Sequence, residues 1–259
     1  MEAMMSPVNG RAEANQKFMQ HAKAEYPKEC CGLIVQQGDS QVYMPCRNIS
    51  PTPESDFVIN PIDIATCEDI GEIVGICHSH PDSSSRPSPT DLAKAYSLHG
   101  EFPLANWLIF SWPEGDLFQF APLTDSPPLI GRQFVHGIWD CYGLIRDYFS
   151  SELDIDIPDY ERNDGWWERG EDLYLDNFKS AGFLQVCENS PEALAGFELK
   201  KGDVIIMQIR SKKANHAAVY VGDGMILQHM YGKLSKRDVF GGFWLRCTRM
   251  IVRHHDLIE

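Results

Sequence analysis

Two stretches of this 259-residue sequence carry side chains whose types and spacing suit bond-breaking chemistry. The first is GICHSHPDSSSRPSPTD, from Gly75 to Asp91. In an extended strand, residues i and i+2 project to the same side, so His78 and His80 share a face and Cys77 points away. Zinc accepts imidazole and carboxylate ligands, and a catalytic site typically uses three of them and leaves a fourth position to water. Asp91 is the third ligand in this reading, because Ser88-Pro89-Thr90-Asp91 resembles a helix start that carries a carboxylate back beside the imidazoles. The same four residues also read as a plain helix cap, with Pro89 in the first helical position.

The second stretch is WDCYGLIRDYF. Cys141 stands at the first turn of an amphipathic helix, where backbone N–H groups and the helix dipole favour a thiolate. A thiol nucleophile needs an imidazole brought close by the fold, and the candidates lie in NHAAVYVGDGMILQHMYG. If Asp223-Gly224 forms a two-residue hairpin turn, Gly222 faces Met225 and His229 falls opposite Ala218, diagonal to His216 on one face. His216 is then the base and His229 the group that orients it. Taken singly, His216 and His229 also read as half-buried strand residues and Cys141 as a buried thiol.

Periodicity and breakers supply the elements that hold these groups. A helix over Ala12–Glu25 stops before Pro27, and strands follow at Cys31–Val35 and Val42–Pro45. Next come a helix at Asp63–Asp69, a strand at Ile73–His78 and a helix at Pro89–His99, then strands at Trp107–Ser111 and Leu117–Ala121. That alternation is an α/β unit over residues 1–122. The run PLTDSPPLIGR replaces periodicity with prolines and small polar residues, which predicts a linker over 123–132. The unit over 133–259 starts with helices, at Cys141–Leu153 and Asp172–Ser180. Strands follow at Val204–Ile209, His216–Gly222, Met225–Met230 and Phe243–Val252.

Composition narrows the function classes. Hydrophobic residues make up 43% and charged residues 23%, an ordinary globular balance that argues against disorder. The net charge of -14 opposes binding to a phosphate backbone, so nucleic acid is not an expected partner. No apolar run reaches the roughly 20 residues of a membrane span, and the first residues lack a secretory pattern, which predicts folding in a cytosol. Eight cysteines without a C-x-x-C pair read as reduced thiols rather than a disulfide or cysteine–zinc framework.

The spacing H-S-H, seven residues, then Ser-x-x-Asp resembles the JAMM (MPN+) metallopeptidases from His78 to Asp91. That resemblance implies a mixed sheet with flanking helices, zinc on His78, His80 and Asp91, and Ser88 at the oxyanion. It also implies a glutamate general base, assigned to Glu29 in YPKECCGLIV, where a solvated loop glutamate is the plainer reading. The second half resembles the NlpC-type papain-like hydrolases of bacterial cell walls, through Asp140-Cys141, Lys201-Gly202-Asp203-Val204, and His216 followed by Val219-Tyr220-Val221-Gly222. This implies an α+β domain with an antiparallel sheet, Cys141 attacking an amide of the peptidoglycan stem peptide, His216 as base and His229 as its orienting group.

The two in tandem resemble the tail assembly protein K family of lambda-like phages. Membership implies other tail tip proteins as partners, assembly in the host cytoplasm and a place at the virion tail tip. Two alternatives keep the same residues: a bacterial housekeeping isopeptidase joined to a wall hydrolase, and a structural tail component with vestigial sites.

Overall fold

The computed structural model describes residues 10–188 and 190–258, and the chain divides into two compact units, Met1–Asp125 and Ser126–Glu259. In chain order the first unit contains α1 (Arg11–Glu25), β1 (Cys31–Gln37), β2 (Ser40–Cys46), α2 (Pro61–Ile70), β3 (Glu72–Pro81), α3 (Pro89–Leu98), β4 (Asn106–Trp112) and β5 (Leu117–Phe120). Its five strands run β2-β1-β3-β4-β5, and the sheet is mixed because β3 and β4 are parallel while the other pairs are antiparallel.

Both faces of this sheet are covered, which is why β1 reads as an unbroken apolar run rather than an alternation. Ala14, Phe18 and Ala22 of α1 pack on Ile34, Cys77 and Leu108 on one face. On the other, Cys67 of α2 and Ala95 of α3 pack with Leu33, Ile76 and Trp107. The first four strands are longer than periodicity predicted while β5 stops one residue short, and β3 runs on to Pro81, so both His78 and His80 lie inside it.

The second unit contains α4 (Cys141–Leu153), α5 (Leu173–Asn177), β6 (Phe183–Glu188), α6 (Pro191–Gly196), β7 (Val204–Met207), β8 (His216–Gly222), β9 (Met225–Gln228), β10 (Lys236–Val239), α7 (Gly242–Cys247) and β11 (Thr248–His254). The sheet order is β10-β9-β8-β7-β11-β6, antiparallel throughout. Leu144, Ile145 and Phe149 of α4 pack on Val204, Ile206, Ala217 and Val219 of the sheet. Residues at the start of this unit are tied into it: the buried Arg132 donates to the carbonyls of Pro127 and Pro128 and pairs with Asp147.

Three sequence expectations change here. The predicted strand Phe243–Val252 is a short helix, α7, followed by β11, because an apolar run without a clear period fits either state. The helix expected over Asp172–Ser180 is reduced to the five residues of α5. The β8–β9 hairpin does turn at Gly222↔Met225, but a bulge between Tyr220 and Gly222 shifts the pairing so that Gln228, not His229, faces Ala218.

Candidate functional site

In the first unit, β3 sets two imidazoles on one face and α3 returns a carboxylate to them. His78 Nε2 lies 3.0 Å from Asp91 Oδ1, His80 Nε2 lies 3.3 Å from Asp91 Oδ2, and the two Nε2 atoms are 3.1 Å apart. Ligands at about 2.0 Å from a tetrahedral zinc stand roughly 3.3 Å from one another, so the three groups match the edges of such a cage.

Contacts behind the three groups set which atoms face the centre. His80 Nδ1 donates to the Ser84 carbonyl at 2.6 Å, which leaves Nε2 bare and facing the other two groups. His78 stacks on Phe57 with ring centroids 4.4 Å apart and is wholly buried. That burial pushes its pKa down, toward the neutral ring a metal requires. For His80 burial works in the same sense but is outweighed by hydrogen bonding to Asp91 and Ser84, and the net shift is upward. Asp91 is held well below the carboxylate range: burial opposes ionisation, but the His78 and His80 imidazoles overcome it.

Ser88 caps α3. Its Oγ accepts the Asp91 N–H at 3.2 Å while its own N–H donates to Asp91 Oδ2 at 2.7 Å, so the pair forms a capping box that aims the carboxylate at the histidines. The capping reading of Ser88 is therefore realised, and its hydroxyl proton stays free to donate. Glu29 lies just ahead of β1, where Cys31 pairs with His78. It is buried rather than a solvated loop residue, with its N–H bonded to the Pro53 carbonyl. Burial raises its carboxyl to about 7, with His80 and Asp91 close enough to act on its charge.

In the second unit a cavity of about 420 Å³ is lined by Cys141, His216, His229, Tyr174 and aromatic residues. Asp140 caps α4 by accepting the Gly143 N–H at 2.9 Å, and a buried ion pair with Arg162 at 2.9 Å fixes it. The Cys141 thiol lies 3.1 Å from Tyr174 Oη, and the Ala217 backbone N–H, next to His216 in β8, also acts on it. Contrary to the thiolate expected at a helix start, burial and the neighbouring Asp140 push this thiol up to about 11. Burial pulls His216 down to about 4, so both partners rest neutral.

His216 Nε2 is buried with no partner among the described residues. The bulge puts Gln228 on the face of His216: its amide nitrogen donates to Asp238 at 2.7 Å, and the side chain is near enough to the His216 ring to favour its protonated form. His229 lies beyond β9, with Nε2 on the Lys233 carbonyl at 3.1 Å and its ring against Phe134. Asp203 of the Lys201-Gly202-Asp203-Val204 motif is buried and structural, taking two bonds from Arg253 at 2.6 and 2.9 Å. Sequence reading missed Gln228, Tyr174 and Arg162. Only the bulge moves Gln228 into position, and no local pattern announces it.

The fold and the two sites define a tandem of a JAB-type domain and an NlpC/P60 domain. Residues 11–120 match the family described as prokaryotic homologs of the JAB domain, and residues 131–253 match the NlpC/P60 family. Tail tip assembly protein K of Escherichia phage N15 is 40% identical over 242 residues, 93% of this chain and 93% of that protein. Tail tip assembly protein K of Escherichia phage lambda is 37% identical over 196 residues, 76% of this chain and 89% of that protein. Desampylase of Haloferax volcanii is 28% identical over 96 residues, 32% of this chain and 69% of that protein. The chain belongs to the tail tip assembly protein K family.

Proposed function

We propose that this tail tip assembly protein carries two amide-hydrolase sites, a zinc peptidase centre in the first unit and a cysteine endopeptidase for peptidoglycan stem peptides in the second. In the first, the convergence of His78, His80 and Asp91 at tetrahedral spacing carries the reading. Zinc held by His78, His80 and Asp91 would supply Lewis-acid polarisation of the scissile carbonyl. Glu29 takes a proton from the attacking water and passes it to the leaving amine. Ser88 donates its hydroxyl proton to the developing oxyanion while Oγ keeps its cap.

In the second site, His216 Nε2 removes the Cys141 proton as sulfur bonds to the amide carbon and the carbonyl electron pair moves onto oxygen. Collapse breaks the C–N bond, with the His216 proton going to the amine, and water then hydrolyses the thioester. The carrying observation is a thiol at a helix start sharing one cavity with a buried, unpartnered imidazole nitrogen. Gln228, rather than the expected His229, orients the ring. Accordingly Gln228→Leu lowers kcat for stem-peptide cleavage more than His229→Leu does; the reverse order restores His229 to that role.

By kinship with the phage proteins the chain works beside other tail tip proteins, is assembled in the host cytoplasm, and is carried at the virion tail tip. Purified full-length protein should release stem-peptide fragments from peptidoglycan, and Cys141→Ala should release none. Fragment release that survives Cys141→Ala removes Cys141 as the nucleophile, and no release from the wild type removes the wall-hydrolase role.

A further inference from the structure

The cavity around Cys141 holds a third imidazole that nothing so far has used. His136 lines it together with Cys141 and His216. Both its ring nitrogens are shielded and have no hydrogen-bond partner among the described residues, and the nearest carboxylate oxygen, on Asp164, is 3.8 Å from Nδ1. An imidazole shielded from water without a hydrogen bond is destabilising, unless a bound molecule supplies the missing partner.

The backbone that carries His136 is held rigid. Val135 and Trp139 form a β-bridge around a tight turn, and Gly137 in the turn has φ 78, a left-handed conformation that favours glycine. The Gly137 N–H donates to Asp140 Oδ2 at 2.9 Å and its carbonyl accepts from Arg162 at 2.8 Å. The buried Asp140–Arg162 pair that caps the helix of Cys141 thus also anchors the turn of His136, fixing thiol and imidazole in one frame. His136 is also close enough to Asp140, the neighbour of Cys141, to act on its charge. Phe134 and Trp167 flank the ring at centroid distances of 6.3 and 6.1 Å.

We infer that His136 is a catalytic residue of the second site, donating an N–H hydrogen bond to the carbonyl oxygen of the scissile amide as negative charge develops there. The inference rests on the reading of Cys141 as nucleophile. A donor aimed at the oxyanion acts mostly in the transition state, so its loss lowers kcat and leaves KM nearly unchanged.

The test uses full-length protein, a muropeptide substrate and two variants. His136→Phe fills the space beside Phe134 and Trp167 but cannot donate, whereas His136→Asn keeps a donor. His136→Phe should lower kcat about 100- to 1000-fold with KM within about threefold, and His136→Asn should recover at least tenfold of that loss. Unfolding of His136→Phe is excluded by an unchanged circular dichroism melt and retained alkylation of Cys141. If it does not fold, His136→Asn is compared with His136→Leu. Equal impairment of donor and non-donor variants, or a loss expressed in KM alone, overturns the role. So does unchanged kcat in the non-donor variant of an active enzyme. Wild type that leaves the muropeptide intact counts instead against Cys141 as nucleophile, and removes this inference with it.

Discussion

Cys141 and His216 rest as a neutral thiol and a neutral imidazole, and the chemistry follows from that state. Desolvation disfavours both charged forms, and Asp140 beside the thiol adds to the effect. In the proposed mechanism His216 therefore acts as a base during attack and not as one half of a preformed ion pair. The sign of the pH dependence is fixed by this. With the thiol pushed up to about 11, the thiolate fraction rises about tenfold per pH unit from pH 7 upward, as a raised acid pKa requires. Iodoacetamide labelling of Cys141, followed by mass spectrometry of its peptide, should climb with that slope to about pH 10. A plateau between pH 5 and 8 would indicate an ion pair and contradict the neutral pair.

At the scale of elements, the second site depends on how closely the turn before α4 approaches the helix. Gly143 sits where a methyl group would overlap the Ile138 carbonyl oxygen, and its N–H is bonded to Asp140. Gly143→Ala must displace the Val135–Trp139 turn and should cost about 1–3 kcal/mol, as overpacking does elsewhere. An unchanged urea midpoint would show that the turn yields freely. The sequence made α4 legible end to end, because Asp140 is a strong cap and the apolar period is clean. The strand–helix pair around His78, His80 and Asp91 was legible as a short apolar run ending in H-S-H, followed by the strong cap Ser-Pro-x-Asp. Other features were hidden. The bulge that replaces His229 by Gln228 is a backbone irregularity without a residue signature, and β6 is an edge strand whose exposed Leu184 breaks the expected alternation. The lone turn of α7 was absorbed into an apolar run.

The whole molecule joins two compact units, each with its own sheet and its own proposed site. On the proposed zinc centre, metal binding to the folded first unit would stabilise that unit by mass action, about 4 kcal/mol at a thousandfold excess over Kd. Scanning calorimetry of the full chain should therefore show one transition rising with added zinc and one standing still, and a chelator should leave Cys141 labelling unchanged. Two transitions moving together would mean that the sites are coupled. The net charge of -14 also disfavours nucleic acid as a competing ligand for either unit. Among the described residues no helix is long and apolar enough to cross a membrane. The most direct measurement is the zinc content of full-length protein prepared without chelators, by elemental analysis, beside His78→Ala. One equivalent per chain in the wild type and none in the variant is the predicted result; wild type without zinc, or a variant that keeps it, would contradict the metal centre.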